Sequence, residues 1–317
     1  MNDVKFPALV GDSPLAILAA IGTMKLVHDF VDVGATLSWD PADRMPVLGS
    51  SLEDVGEVVS CLTKILEDMP EGVTVPGGPI GFPPPGEAPD KLRVKQGELR
   101  GVIDSVTESA DLGQAEVVRE WVSGLVTDLV VDSSSRGASR GAISQFMAPS
   151  GRQSMATMLQ KTLEIVQDDP VVLREAFTGW RRVSGVTGEY LDHRASWSSS
   201  EDGRGKAGMR GVPGATWLAL MSYPLWMTTS VAATARTSGW HRLPEGQRHV
   251  SEVRLPLWSQ RLGLDGVVAL VEHPLLDVPW SCVNHRALNQ LGVFHVCRAR
   301  RRQAVGGKSA GVLVPVP

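Results

Sequence analysis

A serine near the start of the chain lies in a setting that could supply a nucleophile, the block Gly11-Asp12-Ser13. A serine nucleophile needs a histidine that takes its proton and an aspartate that orients this histidine. In hydrolases with such a block, the aspartate and the histidine lie close together late in the chain. Neither Asp265 nor Asp277 has a histidine two or three residues after it. The sequence therefore favours Ser13 as a helix cap over a catalytic role.

Four side chains near the C-terminus are of the types that bind zinc, in the pairs Cys282-x-x-His285 and His295-x-Cys297. Structural zinc sites usually carry closely spaced ligand pairs on tight turns. The second pair instead alternates with apolar residues, as in a strand. Cysteine is also a common small buried residue. We therefore expect no metal and no other cofactor, with zinc binding as the alternative.

Motifs for nucleotide chemistry are missing from the sequence. It contains no Gly-x-x-x-x-Gly-Lys-Ser/Thr loop, and no Gly-x-Gly-x-x-Gly follows a predicted strand. Because the serine and zinc patterns also fail to form a catalytic site, we expect a binding protein and not an enzyme.

Arginines in the second half of the chain are the strongest candidates for a binding site. Guanidinium groups bind phosphate through two hydrogen bonds and can read guanine edges. Gln153 is a candidate base reader. The alternative is that several arginines pair with nearby acids such as Glu175, Glu189 and Glu201. Arg174 and Arg194 belong to the wider arginine set, and the candidate nucleic-acid-binding residues are Arg136, Arg140, Arg152, Gln153, Arg181, Arg182, Arg204, Lys206 and Arg210.

The distribution of charge supports this assignment. Residues 1–135 contain 22 acidic and 9 basic side chains, whereas the rest of the chain contains 13 acidic and 22 basic ones. Such a division favours an acidic face for proteins and solvent and a basic face for a polyanion. The three cysteines are irregularly spaced, which is typical of a reducing compartment. No signal peptide or membrane span is predicted, so we expect a cytoplasmic protein.

Hydrophobic periodicity predicts an α+β fold with a mainly helical N-terminal part and a mixed C-terminal part of short strands and helices. A strand is predicted over 35–39 and a Pro/Gly-rich exposed connector over 70–90. We divide the chain into an acidic domain over 1–131, a basic domain over 132–297 and a basic tail over 298–317. Helices are predicted over 14–31, 51–68, 91–109, 114–131, 154–167, 170–177, 214–222, 264–272 and 285–290.

Short blocks in a fixed order give the sequence a family resemblance. It resembles large-subunit-type proteins of type I-G (formerly I-U) CRISPR effector complexes, over about half of the chain. Tyr190 to Trp197 stands where family members have a Trp-Asp-Pro element. The blocks that carry the resemblance are Gly11 to Gly22, Leu37-Ser-Trp39, Thr178-Gly-Trp180, Gly214 to Leu220, Pro224-Leu-Trp226, Thr237-Ser-Gly239 and Leu255 to Ser259.

The resemblance implies a noncatalytic subunit of an RNA-guided surveillance complex. Such a subunit would bind guide RNA, or target DNA near the flanking motif, contact other subunits of the complex and help to recruit a helicase-nuclease. Base pairing reads most of the sequence in these complexes, so the protein need only read a short flanking element and hold strands. The alternative is a structural adaptor that contacts only protein, through the acidic part and the connector.

Overall fold

The structure is a computed structural model that describes residues 1–84, 91–131, 139–149, 153–197, 208–245, 247–302 and 311–317. Strands and helices are interspersed from the start of the chain. The first elements are β1 (Asn2–Lys5), α1 (Pro14–Phe30), β2 (Thr36–Trp39), β3 (Pro46–Ser50), α2 (Val55–Glu67), α3 (Leu99–Thr107), α4 (Leu112–Leu125) and β4 (Val126–Val131).

The predicted mainly helical N-terminal part is wrong, although the chain as a whole is α+β. β1, β3 and β2 form an antiparallel sheet with β3 in the middle. β1 and β3 are short and contain Asn, Pro, Gly and Ser, residues more typical of turns than of strands. The helix predicted over 114–131 ends at Leu125, because the β-branched run that begins at Val126 forms a strand.

The remaining elements build several small antiparallel sheets around further helices. They are β5 (Gly141–Ile143), α5 (Met155–Asp168), α6 (Val171–Thr178), β6 (Val183–Ser184), β7 (Ser196–Trp197), β8 (Gly208–Gly211), α7 (Pro213–Met221), β9 (Thr228–Val231), β10 (Thr234–Thr237), β11 (Trp240–Glu245), β12 (Arg248–Trp258), α8 (Leu264–Val271), α9 (His285–Gln290), β13 (Val293–Arg302) and β14 (Val312–Val316). β11, β12, β13 and β14 form a four-stranded sheet, and β6, β8 and β7 form a three-stranded one.

Two apolar helices, α1 and α7, lie at the centre of the core. α1 is buried from Pro14 to Val27, and α7 is buried over its whole length. One hydrophobic cluster continues from Val4 to Leu313 and includes residues on both sides of position 131. The division into two domains stays a prediction. No helix in the described part of the chain is both long and apolar enough to cross a bilayer.

The Pro/Gly-rich segment is less exposed than predicted. Residues 70–84 form no helix or strand, as their composition predicts. Val73, Val75 and Phe82 are nevertheless buried, and Val75 and Phe82 belong to the main core. Scattered apolar residues between prolines carry no period, so their burial could not be read from the sequence.

The predicted basic tail is wrong for its described residues. Residues 298–302 lie in β13, and β14 pairs with them as the edge strand. Arg298 is buried against Glu252 of β12, to which its Nε donates at 3.0 Å. A run of arginines predicts solvent exposure only where no buried acid is available. Here β12, which is adjacent in the sheet but distant in the sequence, supplies that acid.

Candidate nucleic-acid interface

Some of the predicted binding residues lie outside the described residues: Arg136, Arg152, Arg204 and Lys206. Arg140 lies just before β5 and forms a backbone bridge with Lys95. The other predicted residues lie near the three-stranded sheet and helix α5, and they are Gln153, Arg181, Arg182 and Arg210. The structure thus gathers four of these candidates in one region and leaves Arg140 at another position in the fold.

Arg181 and Arg182 are both held by acids of the same chain. Arg181 donates from Nε to Glu175 at 2.6 Å and from Nη2 to Asp169 at 2.9 Å. Arg182 donates from Nη2 to the buried Asp192 at 2.6 Å. These contacts match the alternative in which the arginines pair locally. We therefore assign both side chains a structural role rather than a leading role in binding.

Arg182 also connects the three-stranded sheet to the segment between β6 and β7, which contains Asp192. Its Nη1 donates to the backbone oxygen of Arg210 on β8 at 3.1 Å, and its guanidinium lies 6.0 Å from the Trp180 ring centre. Asp192 accepts from the backbone amide of Arg194 at 2.9 Å as well. This network fixes the short 3-10 helix over His193–Ala195, and so places Arg194 at the surface.

Gln153 lies directly before the N-terminus of α5. Ser154 caps this helix, and its Oγ accepts from the amide of Thr157 at 3.0 Å. The cap fixes the backbone at the start of α5, and with it the position of Gln153, which directly precedes the cap residue. From there its Nε2 donates to Glu189 Oε2 at 2.9 Å. The candidate base reader thus contacts a buried carboxylate.

Three exposed cations surround this region and make no ion pair with any residue that the structure describes. They are Lys161 on α5, Arg194 and Arg302 at the end of β13. Lys161 interacts electrostatically with Glu189, and the 3-10 helix that contains Arg194 contacts β14, the partner strand of Arg302. We call Lys161, Arg194 and Arg302 the basic face. Exposed cations without an acidic partner are suited to phosphate.

Arg301 anchors one side of the basic face. Its guanidinium donates to the backbone oxygens of Gln145, Phe146 and Gly311, at 3.2, 2.6 and 2.7 Å. Burial lowers the pKa of Arg301 to about 10, yet the group stays charged at neutral pH. These bonds hold the ends of β13 and β14 against the segment that leads to Gln153. They therefore position Arg302.

Of the residues in this region, only Arg194 belongs to the arginine set that the sequence indicates. Lys161, Arg302 and the role of Glu189 become visible only in the fold. Lys161 lies alone on a helix, and Arg302 falls in the run interpreted as a tail. One signal was present for Glu189. It follows Gly185 and Gly188, and two closely spaced glycines often mark a backbone with unusual torsion angles.

The structure does not group the residues of the zinc pattern, and it places Ser13 at the start of a helix. Cys297 is buried in β13, where burial raises the pKa of its thiol to about 12, whereas Cys282 is exposed. The His285 ring packs edge-on against Trp280. Among the residues described, no three His, Cys, Asp or Glu side chains are grouped to hold a metal ion. Ser13 is the N-cap residue of α1, but its hydroxyl makes no hydrogen bond to the helix.

Comparison with known proteins gives no family assignment. No protein-family model matches the sequence, and no curated protein matches it.

Proposed function

We propose that this chain is a noncatalytic subunit of an RNA-guided, CRISPR type I surveillance complex, and that the basic face contacts nucleic acid. The class of complex rests on the ordered sequence blocks. The observation that carries nucleic-acid binding is the basic face, three exposed cations that form no ion pair within the described residues. Hydrogen bonds of Arg182 and Arg301 fix the elements next to them. Phosphate contacts of this kind supply most of the affinity for nucleic acid, whatever its sequence.

Further basic residues lie close in sequence to the described elements of this region. Arg152 precedes Gln153, and Arg204 and Lys206 belong to the segment between β7 and β8. Within the proposed complex, this side of the chain binds guide RNA, or target DNA near the flanking motif. The acidic N-terminal part faces other subunits and helps to recruit the helicase-nuclease. Such a complex works in the cytoplasm.

Removal of the basic face tests the proposal. We expect Lys161→Ala/Arg194→Ala/Arg302→Ala to weaken binding of single-stranded RNA or duplex DNA about ten- to hundredfold at low salt, because three phosphate contacts are lost. The slope of log K against log salt should fall by about 2 to 3. Fluorescence anisotropy with labelled oligonucleotides at several salt concentrations measures both quantities.

The control removes the same charge elsewhere. Lys64→Ala/Arg100→Ala/Arg119→Ala neutralises three exposed cations on α2, α3 and α4. This variant should keep the affinity and the salt slope of the unmodified chain to within about twofold. Equal losses in both variants would mean that net charge, and not the basic face, governs binding. Unchanged affinity of the basic-face variant would contradict the proposal.

The alternative, a protein-only adaptor, is favoured by one feature of the acidic part. Phe30, Ile80 and Leu112 are exposed, with 46, 71 and 89% of their surface accessible. Two clefts of about 520 and 590 Å³ share Phe30, and acids including Asp29 and Asp68 line them. Clefts that combine apolar and acidic side chains suit a basic segment of another subunit. An adaptor would use this surface alone and bind no nucleic acid.

A further inference from the structure

A cleft of about 550 Å³ opens between α5 and the loop over residues 185–189, beside the basic face. Its lining includes Gln153, Thr157, Lys161 and Glu189. The volume falls within the usual range for small-ligand sites. Glu189 is almost completely buried, with 7% of its surface accessible. A buried carboxylate in the wall of an open cleft is an uncommon arrangement, because burial of an acid is unfavourable without partners.

Hydrogen bonds hold this carboxylate in place. Oε2 accepts from Gln153 Nε2 at 2.9 Å, and Oε1 accepts from Thr187 Oγ1 at 3.2 Å. Burial raises the pKa of Glu189 to about 7, against the lowering effect of the Gln153 and Thr187 hydrogen bonds and of the charge on Lys161. The internal partners thus only partly replace water around the carboxylate. Two further N–H donors from a ligand would stabilise its charged form.

The backbone beside the carboxylate is strained. Glu189 and Tyr190 are consecutive non-glycine residues in the left-handed region, with φ of 49° and 59°. Such residues persist only where the surroundings enforce their conformation. Strain of this kind concentrates at ligand clamps. Here it directs the Glu189 side chain toward Gln153 and the cleft.

The donors and acceptors of the cleft match one kind of base edge. Glu189 offers acceptors from the loop side of the cleft, whereas Lys161 offers an ammonium donor from the α5 side. The Watson–Crick edge of guanine presents two adjacent N–H donors, at N1 and N2, beside the O6 acceptor. We infer that this cleft binds an unpaired guanine, with Glu189 accepting from N1 and N2 and Lys161 donating to O6.

This inference rests on the proposed function, because the basic face supplies the phosphate contacts that bring the strand to the cleft. Adenine and uracil cannot donate two adjacent N–H groups to one carboxylate, so they should bind less well. Cytosine offers a single donor group at N4 and should likewise bind less well than guanine. Gln153 acts as a positioning residue, because it holds Glu189 by a hydrogen bond.

Replacement of guanosine by inosine tests the inference, because inosine lacks only the amino group at N2. The full chain is titrated with a mixed-sequence single-stranded RNA, and with the same RNA in which every guanosine is inosine. We expect about tenfold weaker binding of the inosine RNA, because the carboxylate loses one hydrogen bond to a charged acceptor. Glu189→Gln should abolish this preference, because an amide no longer offers two acceptor oxygens to N1 and N2.

Matched variants separate the cleft from the basic face. Glu164→Gln, on the cleft rim, should keep the guanosine preference, whereas Gln153→Ala should reduce it, because Glu189 loses the hydrogen bond that positions it. The basic-face variant should lower affinity for both RNAs. Equal binding of both RNAs by the unmodified chain, or a preference that survives both Glu189→Gln and Gln153→Ala, would overturn the guanine site and leave the proposed function intact. Binding of neither RNA would remove both.

Discussion

Replacement of Glu252 by alanine is expected to destabilise the folded protein by about 3–5 kcal/mol. The reason is that Glu252 is the carboxylate that pairs with two buried arginines of the sheet, Arg254 and Arg298. Glu252 and Arg254 have no accessible surface, and Arg298 has 9%. Glu252 accepts from Arg254 Nε at 3.0 Å, from Arg298 Nε at 3.0 Å and from Arg300 Nε at 2.9 Å. Without Glu252, two buried guanidinium groups lose their counter-charge.

The effect should depend on pH in a defined direction. Burial acts to raise the pKa of Glu252, but hydrogen bonds from Arg298, Arg254 and Arg300 outweigh it and hold the pKa below the ordinary 4.5. A carboxyl group with a lowered pKa in the folded state stabilises the fold above the pKa of the unfolded state. That contribution disappears as the pH falls through the folded-state pKa. The difference between the unmodified protein and Glu252→Ala should therefore shrink in acid.

Urea unfolding at several pH values measures this prediction. Glu245→Ala is the matched control, because Glu245 also pairs with Arg300, at 2.7 Å, but its side chain is 57% exposed. Loss of an exposed pair should cost less than about 1 kcal/mol. Similar stability losses in the two variants would show that the cluster around Glu252 does not hold the sheet together.

Gly22→Ala should destabilise the protein by about 3 kcal/mol, because α1 and α7 approach each other too closely for a side chain at this position. A β-carbon on Gly22 would lie 1.8 Å from the backbone oxygen of Leu218 and 3.1 Å from the amide nitrogen of Ser222. Both atoms belong to backbone in the fully buried centre of the core, so neither can move without displacing α7.

Thermal and urea unfolding of Gly22→Ala and Gly101→Ala form the test. Gly101 also lies inside a helix, but a β-carbon there would meet nothing within 4 Å. Gly101→Ala should therefore stabilise the protein by about 0.5–1 kcal/mol through helix propensity. If Gly22→Ala raised the free energy of unfolding as much as Gly101→Ala does, the contact between α1 and α7 would be looser than the structure indicates.

The parts of the fold that the sequence predicts are those with a local signal. α1, α5, α6 and α7 carry caps, prolines at the first turn or apolar residues at helical spacing, and each lies within two residues of its predicted bounds. β1 and β3 have no comparable local signal. They are strands because each finds a partner, and strand pairing depends on residues far apart in the chain.

The site could be predicted only in part for the same reason. The sequence marks Gln153 only through its neighbour Arg152, whereas the structure places Gln153 against Glu189, a contact between residues 36 positions apart. Charge alone makes Arg181 and Arg182 candidates, but in the structure both form ion pairs with acids of the same chain. The basic run that contains Arg302 predicts a tail. In the structure Arg298, from the same run, is buried against Glu252, which is 46 positions away in the sequence. The charge pattern identifies the half of the chain that is basic. Only the fold shows which of the described cations form ion pairs with acids of the same chain.

Ultraviolet crosslinking of the full chain to photoreactive single-stranded RNA and duplex DNA, followed by mass spectrometry of the peptides, tests the central claim most directly. We predict adducts on peptides that contain Gln153 to Lys161, Glu189 to Arg194, or Arg302, and a loss of these adducts at high salt. The absence of adducts, or adducts confined to α2, α3 and α4, would contradict nucleic-acid binding at the basic face.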